Sequence, residues 1–297
     1  MRVDPFYVVN LSSALDQSQT TQQQLSAELS SGLRISAIGD DPVAAAQNVQ
    51  LLNEIQRDDS FTQTTSLTQG MLQVTDSALG SVISQLNQAI GLATQANNGT
   101  LSASDLKSIS NQIAGIRDEV LSLANTNYQG QSIFGGSQTG AAPFTLDNAT
   151  TPATVTYNGD SDVNTIVTPD GQSIQLNLPG DQVFTSSTAN VFETLNNLVT
   201  DYASGTAGSG VTDTAALTNA LNYVSQQRVA IDNSISRLNG ASGAATTEAT
   251  QLTAVQTNLM QADIPGISTR LSLAQSQQTA LIGMIAALGE GSLFDKL

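Results

Sequence analysis

Asp40 and Asp41 stand side by side, and two adjacent carboxylates are the smallest arrangement that could divide acid and base duties between them. Pro42 follows at once. An aspartate before proline is also a strong helix start, because the carboxylate caps free amides and proline suits the first helical position. Capping accounts for Asp41 and solvent exposure for Asp40, so the pair reads as structure rather than catalysis. Asp160, Asp162 and Asn164 imitate the first half of a calcium loop. The second half fails, since Thr165 replaces the glycine of the sharp turn and Gly171 stands where a bidentate glutamate should close the shell. Gly135-Gly136 could cradle a phosphate, but no Lys or Arg follows nearby, which leaves a turn into a new region of the fold. Asn10, Asn98 and Asn148 each begin a glycosylation sequon, a match expected by chance in a chain so rich in Asn, Ser and Thr.

The missing residue types exclude more than the present ones suggest. The chain has no histidine and no cysteine. A Ser-His-Asp triad, a histidine-held metal, a thiol nucleophile and a disulfide are therefore all out of reach. No cofactor and no metal are expected, and the chain reads as a non-enzyme. There are 9 Lys+Arg against 25 Asp+Glu, for a net charge of −16. No basic run exists, so the cationic footprint of a nucleic-acid binder is absent. Charged residues make up 11%, against about 25% in a typical soluble protein. Gln, Asn, Ser and Thr take their place, giving surfaces that can be packed against neighbours without burying many ions. Residues 1–30 show no basic head, apolar stretch and small-residue cleavage site, so no cleaved signal peptide is expected. No run approaches the ~20 apolar residues of a membrane span, and no membrane insertion is expected.

These residues must be carried by helices. Leu11, Leu15, Ser18, Gln22, Leu25 and Leu29 follow a four-three spacing near one end of the chain. Ile267, Leu271, Ala274, Gln278, Leu281, Ile285 and Leu288 repeat it near the other. This is the seam of a helix that lies along another helix, with a polar interruption in the middle of each. The spacing predicts a first helix over 8–33 and a second from Asp41-Pro42 to about residue 96, weakened at Gly70, Gly80 and Gly91. A third starts near Ser104-Asp105 and carries the cleanest heptad: Leu106, Ile109, Ile113, Ile116, Val120 and Leu123. It should pack antiparallel on the second.

From 125 to 189 helical periodicity gives way to Gly, Pro, Thr and Val. Val155-Thr156-Tyr157 running into Asn158-Gly159 predicts one hairpin, and 165–168 with 173–178 around Pro169-Asp170-Gly171 a second. Asn190 with Glu193 resembles a capping box for the next helix. Helix then runs over 217–238, breaks at 240–243, resumes toward Pro265 and ends in a terminal helix over 267–288. The fold is thus mainly α with a β-rich insert: an elongated chain with paired terminal helices, an antiparallel helical bundle and a small β domain. The segments divide as 1–40 with 262–297 (terminal coiled coil), 41–127 with 190–261 (bundle) and 128–189 (β-rich outer domain).

Two stretches go beyond architecture. Leu29-Ser30-Ser31-Gly32-Leu33-Arg34-Ile35, followed by Gly39-Asp40-Asp41-Pro42-Val43-Ala44-Ala45, resembles the N-terminal signature of bacterial flagellin-type proteins. Pro-Val-Ala-Ala after the double aspartate is more similar to the hook-filament junction family (hook-associated protein 3) than to flagellins, which usually carry Ala-Ala-Gly there. Asn127 to Gly136 resembles that family's pattern at the start of its β domain, with Ser132-Ile133-Phe134 in place of a frequent Tyr-Leu-Phe. Ser292-Leu293-Phe294-Asp295-Lys296-Leu297 resembles its apolar ending.

The resemblance implies a structural flagellar subunit, exported unfolded by the flagellar type III apparatus without a cleaved signal and located outside the cell. Implied partners are neighbouring copies of itself, hook-associated protein 1, flagellin and a cytosolic export chaperone. Leu11, Leu15, Leu25, Leu29, Leu271, Leu281, Ile285 and Leu288 would carry the assembly packing, with Phe294 and Leu297 as a tail contact or chaperone signal. The narrow seams also lead us to expect that about 40 residues at each end are disordered before assembly. Flagellin itself is the nearest rival, disfavoured by Asp41-Pro42 and the small insert. A secreted acidic hydrolase would need convergent carboxylates where the chain offers scattered ones, and a coiled-coil signalling rod would not carry a nested β insert.

Overall fold

The computed structural model describes residues 5–206 and 208–290. By contact, the chain divides into two compact units, one formed by 1–57 with 248–297 and the other by 58–247. Two long helices, α2 (Pro42–Ala96) and α6 (Val211–Met260), contribute residues to both.

The first unit pairs the ends of the chain. Helix α1 (Pro5–Ser31) lies against α7 (Ile264–Glu290). Gly32 ends α1 in the left-handed region (φ 68°), and its amide closes on the Glu28 carbonyl at 2.9 Å.

The second unit is a helical bundle on which hairpins are mounted. Helix α3 (Ala103–Ala124) begins with a full capping box: Ser102 and Asp105 satisfy each other's backbone amides. Its predicted stripe is buried at Leu106, Ile109, Ile113, Ile116 and Val120. Helix α3 packs tightly on α5 (Val191–Ala203), where the sequence pointed to α2. The Ser110 hydroxyl donates to the Val199 carbonyl at 2.7 Å, and buried Arg117 reaches Asn196 at 3.1 Å. The inner faces of α2 and α6 join the same core through Leu72, Leu79, Leu86, Leu217, Val224 and Leu238. Arg228, an outlier in the α6 stripe, forms a two-pronged ion pair with Asp76 on α2 at 2.6 and 3.1 Å.

Among the described residues, the strands form four separate two-stranded antiparallel hairpins. They are β1 (Asn127–Tyr128) with β2 (Gln131–Ser132), β3 (Phe144–Asp147) with β4 (Thr154–Tyr157), β5 (Thr165–Val167) with β6 (Ser173–Gln175), and β7 (Thr185–Ser186) with β8 (Ala189–Asn190). A one-turn helix, α4 (Gly180–Val183), precedes β7. The hairpins share the core of the bundle through five clustered rings. Phe184 stands edge-on to Phe134 (centroids 5.1 Å) and Phe144 (5.4 Å), and Phe144 also meets Phe192 and Tyr157. Five of the twelve aromatics of the chain gather here, where strands and helices meet, so this part of the core is built from rings as well as aliphatic side chains.

Three further expectations need correction. Asn158-Gly159 does not turn a hairpin: β4 pairs backward with β3, and Gly159 sits instead beneath the Tyr157 ring, where a Cβ would fall 2.4 Å from the hydroxyl. Helix α6 runs unbroken through Gly240 and Gly243. Each glycine weakens a helix by about 1 kcal/mol, too little to end one held by buried Leu238 and Ala245 on either side. Asn190 caps α5 through the Glu193 amide at 3.0 Å, but no reciprocal bond completes a capping box.

Candidate assembly site at the terminal helices

The two terminal seams face each other. Gln22 donates to the Ala274 carbonyl at 3.0 Å and to the Gln278 side chain at 2.8 Å, and the Ser18 hydroxyl donates to the Ala274 carbonyl at 3.4 Å. The polar interruption of one stripe therefore meets that of the other. A polar pair inside an apolar seam fixes register at some expense of stability. The spacing located both interruptions; that they would bond each other needed the antiparallel register.

Around this lock, Leu11 and Leu25 are each only 8% exposed, and Leu15, Leu271, Leu281 and Ile285 are half-buried. Leu25 forms a small cluster with Ala262 and Ile267, against which Leu271 packs. Leu29 falls at the margin, 36% exposed, because that cluster already closes this end of the seam. Leu288 lies within α7, but its side chain, like Phe294 and Leu297, is outside the described residues. Away from the seam, Val9, Leu273, Ile282 and Met284 are exposed. Beside it, Ala14, Ser18 and Thr21 from α1 and Ala274, Ala280 and Leu281 from α7 line an open groove of about 420 Å³.

A short clasp ties the two ends together where the pair begins. The Ala262 amide donates to the Gly32 carbonyl at 3.0 Å and the Arg34 amide to the Met260 carbonyl at 2.7 Å, with Leu33 bridged to Gln261. The Arg34 guanidinium then reaches the Leu259 carbonyl (3.1 Å) and the Asp41 carboxylate (3.2 Å).

Both members of the aspartate pair are occupied here. Asp41 caps α2 through the Ala44 amide at 3.1 Å. Asp40 accepts from the amides of Ser36 and Ala37 at 2.9 and 2.8 Å and from the Ser36 hydroxyl at 3.1 Å. These bonds hold both carboxyls below the usual range: those from Ala37 and Ser36 for Asp40, the Ala44 amide and then Arg34 for Asp41. The role of Asp40 in shaping the loop was missed, because a carboxylate bonding backwards to amides leaves no periodic trace in a sequence. The loop it shapes presents Ile38, 77% exposed.

The second family-like stretch lies in the other unit. Asn127 to Ser132 makes a tight hairpin whose two turn residues, Gln129 and Gly130, both have positive φ (51° and 81°). Tyr128 lies over Gly70 of α2, where a Cβ would meet its hydroxyl at 2.3 Å. The glycine that weakens the helix on paper is the one that admits this ring. Asp160, the would-be calcium ligand, accepts from the Ser137 amide (2.7 Å) and hydroxyl and closes the Gly135-Gly136 turn. Burial pushes the nearby Tyr157 phenol up to about 12, its hydroxyl lying within reach of the Phe134 and Asp160 carbonyls. Among the described residues, no group of three or more acidic side chains is placed to hold a metal ion, and no helix is long and apolar enough to cross a membrane.

Residues 7–139 match the family model of the bacterial flagellin N-terminal helical region. Flagellar hook-associated protein 3 of Salmonella typhimurium is 31% identical over 179 residues, 60% of this chain and 55% of that protein. Flagellin 1 of Proteus mirabilis is 29% identical over a shorter stretch of 125 residues, 42% of this chain and 34% of that protein. The chain thus spans about half the length, or less, of these curated relatives. The solved structure of flagellar hook associated protein-3 from Legionella pneumophila shares the fold, with a TM-score of 0.63 over 72% of this chain and 98% of that one at 14% identity. Together with the terminal pair and the Asp40-Asp41-Pro42 joint, these likenesses say what the chain is similar to: its residues 7–139 match the helical region of bacterial flagellins, and its fold is that of a solved flagellar hook associated protein-3.

Proposed function

We propose that this chain is a structural subunit of the bacterial flagellum that joins hook to filament. The observation that carries the proposal is the terminal pair: two narrow stripes locked in register by Gln22, Ala274 and Gln278, in a chain whose longer curated match is a hook-associated protein 3 rather than a flagellin. The role is mechanical. Identical subunits stack their terminal pairs into a thin inner layer between two tubes, each copy offering one face to a different face of the next, as a helical array requires. Leu11, Leu15, Leu25, Leu29, Leu271, Leu281, Ile285 and Leu288 hold the layer together, and Phe294 and Leu297 contact a neighbour or an export chaperone. No catalytic step is assigned to the chain. Its partners are further copies of itself, hook-associated protein 1 on the hook side and flagellin on the filament side. It reaches the outside of the cell unfolded. The segments at 1–40 and 262–297 serve assembly, and 128–189 faces outward.

The second reading is flagellin itself, favoured by the match of residues 7–139 to the flagellin helical region. Deleting the gene separates the two. Intact hooks without filaments, with a different flagellin accumulating in the medium, fit the junction role. Loss of filaments with no flagellin secreted makes this chain the filament subunit, and normal flagella contradict both.

A further inference from the structure

Asp58 on α2 is fully buried (0% exposed), and neither oxygen of its carboxylate has a hydrogen-bond partner. Three and seven residues on, along the same face of the helix, stand Phe61 and Thr65, both buried. The Thr65 hydroxyl is also without a partner. Other buried polar groups of this unit are satisfied, Arg117 by Asn196, Ser110 by Val199, Thr75 by Met71 and Asn177 by Asp162. Among the described residues only Ser132 shares the condition of Asp58 and Thr65. Two of three orphaned buried side chains therefore fall within two turns of one helix.

The facing element is weak in the same place. The bonds of Gln69 to Asn239 at 2.7 Å and of Arg228 to Asp76 at 2.6 Å run the two helices antiparallel, a register that carries the Asp58–Thr65 stripe toward the stretch of α6 that holds buried Ala245. That stretch contains Gly240 and Gly243, and a Cβ at either would meet nothing within 4 Å. No close approach explains these glycines, while each lowers helix propensity. A carboxylate taken out of water without a partner is strongly unfavourable, and exposure relieves it at once. Local opening draws on such low-stability stretches.

We infer that the α2–α6 stretch around Asp58, Thr65, Gly240 and Gly243 is a built-in opening point, where the helix pair parts locally and lets water reach the carboxylate. The opening is a property of this unit and holds whatever the chain assembles into.

Amide hydrogen exchange of the full chain, read by mass spectrometry, tests it. Peptides covering 58–66 and 239–247 should exchange at least tenfold faster than those covering 82–93 and 109–120. Asp58→Leu should slow both fast segments at least tenfold and leave the others unchanged. Equal protection in all four segments of the wild-type chain overturns the inference, as does an Asp58→Leu chain whose fast segments are unchanged or faster. Should Asp58→Leu fail to fold, the carboxylate has a structural role and the inference falls on that residue. Thr65→Val then decides for the stretch: slower exchange sustains the opening point, and unchanged or faster exchange ends it.

Discussion

Single carboxylates cap and tie several joints of this chain, and their surroundings shape how it responds to acid. Hydrogen bonds hold Asp40, Asp41 and Asp105 below their usual range, and Asp76 is held there chiefly by the Arg228 guanidinium. The folded state binds these protons less tightly than the unfolded one. The stability they contribute is present above the unfolded value and is lost as pH falls through the lowered folded values. Asp201 runs the other way: burial first, and then the neighbouring Asp213, push its carboxyl up. Its contribution is present below the unfolded value and lost as pH rises through the raised one. Asp213→Asn should therefore bring the Asp201 titration down, which a carboxyl-carbon NMR titration would register; an unmoved curve would leave burial as its sole cause. At the same scale, Phe184→Ala removes the ring that two others meet edge-on, and should destabilise the second unit by about 3–5 kcal/mol in chemical denaturation. A loss below about 1 kcal/mol would mean that the cluster closes over the gap.

At the scale of elements, the proposed role makes the terminal seam the part on which assembly depends. Leu281→Asp with Ile285→Asp puts two charges into a half-buried stripe and should abolish assembly while the second unit keeps its thermal transition. Normal filaments from such a chain would remove these residues from the interface. The seam is narrow and interrupted by glutamines, so in dilute solution about 40 residues at each end should be cut rapidly by a protease, leaving the bundle intact. Ends that survive digestion would show that the pair is stable alone. Heptads and caps made α1, α2, α3 and α7 legible from sequence, because a stripe at helical spacing and an Asp-Pro start are local signals. The rest depended on contacts between distant residues. Gly240 and Gly243 read as a break because propensity ignores the packing at Leu238 and Ala245. Asn158-Gly159 read as a turn because the pairing of β4 with β3 is decided by Phe144 and Tyr157 in the ring cluster. The hairpin β7–β8 and the single turn α4 are too short to show any period.

For the molecule as a whole, the order of elements is nested: α1 returns to α7, while α2 and α6 enclose α3, the hairpins and α5. A chain laid out in this way brings its two ends into one structure and spends its middle on a separate core. That layout suits a part that is gripped by neighbours through its ends. The family-like stretches fall at two joints of this layout, the clasp around Arg34 and Asp41 and the hairpin at Asn127–Ser132 that lays Tyr128 on α2. Both were visible as unusual strings of residues, but their roles as joints were not, since each is defined by its contacts with a distant segment. The most direct test of the junction role is where the protein sits. Immunogold labelling of isolated hook–filament particles with an antibody against residues 128–189 should decorate a single narrow band where hook meets filament. Label distributed along the filament, or absent from the particles, would contradict it.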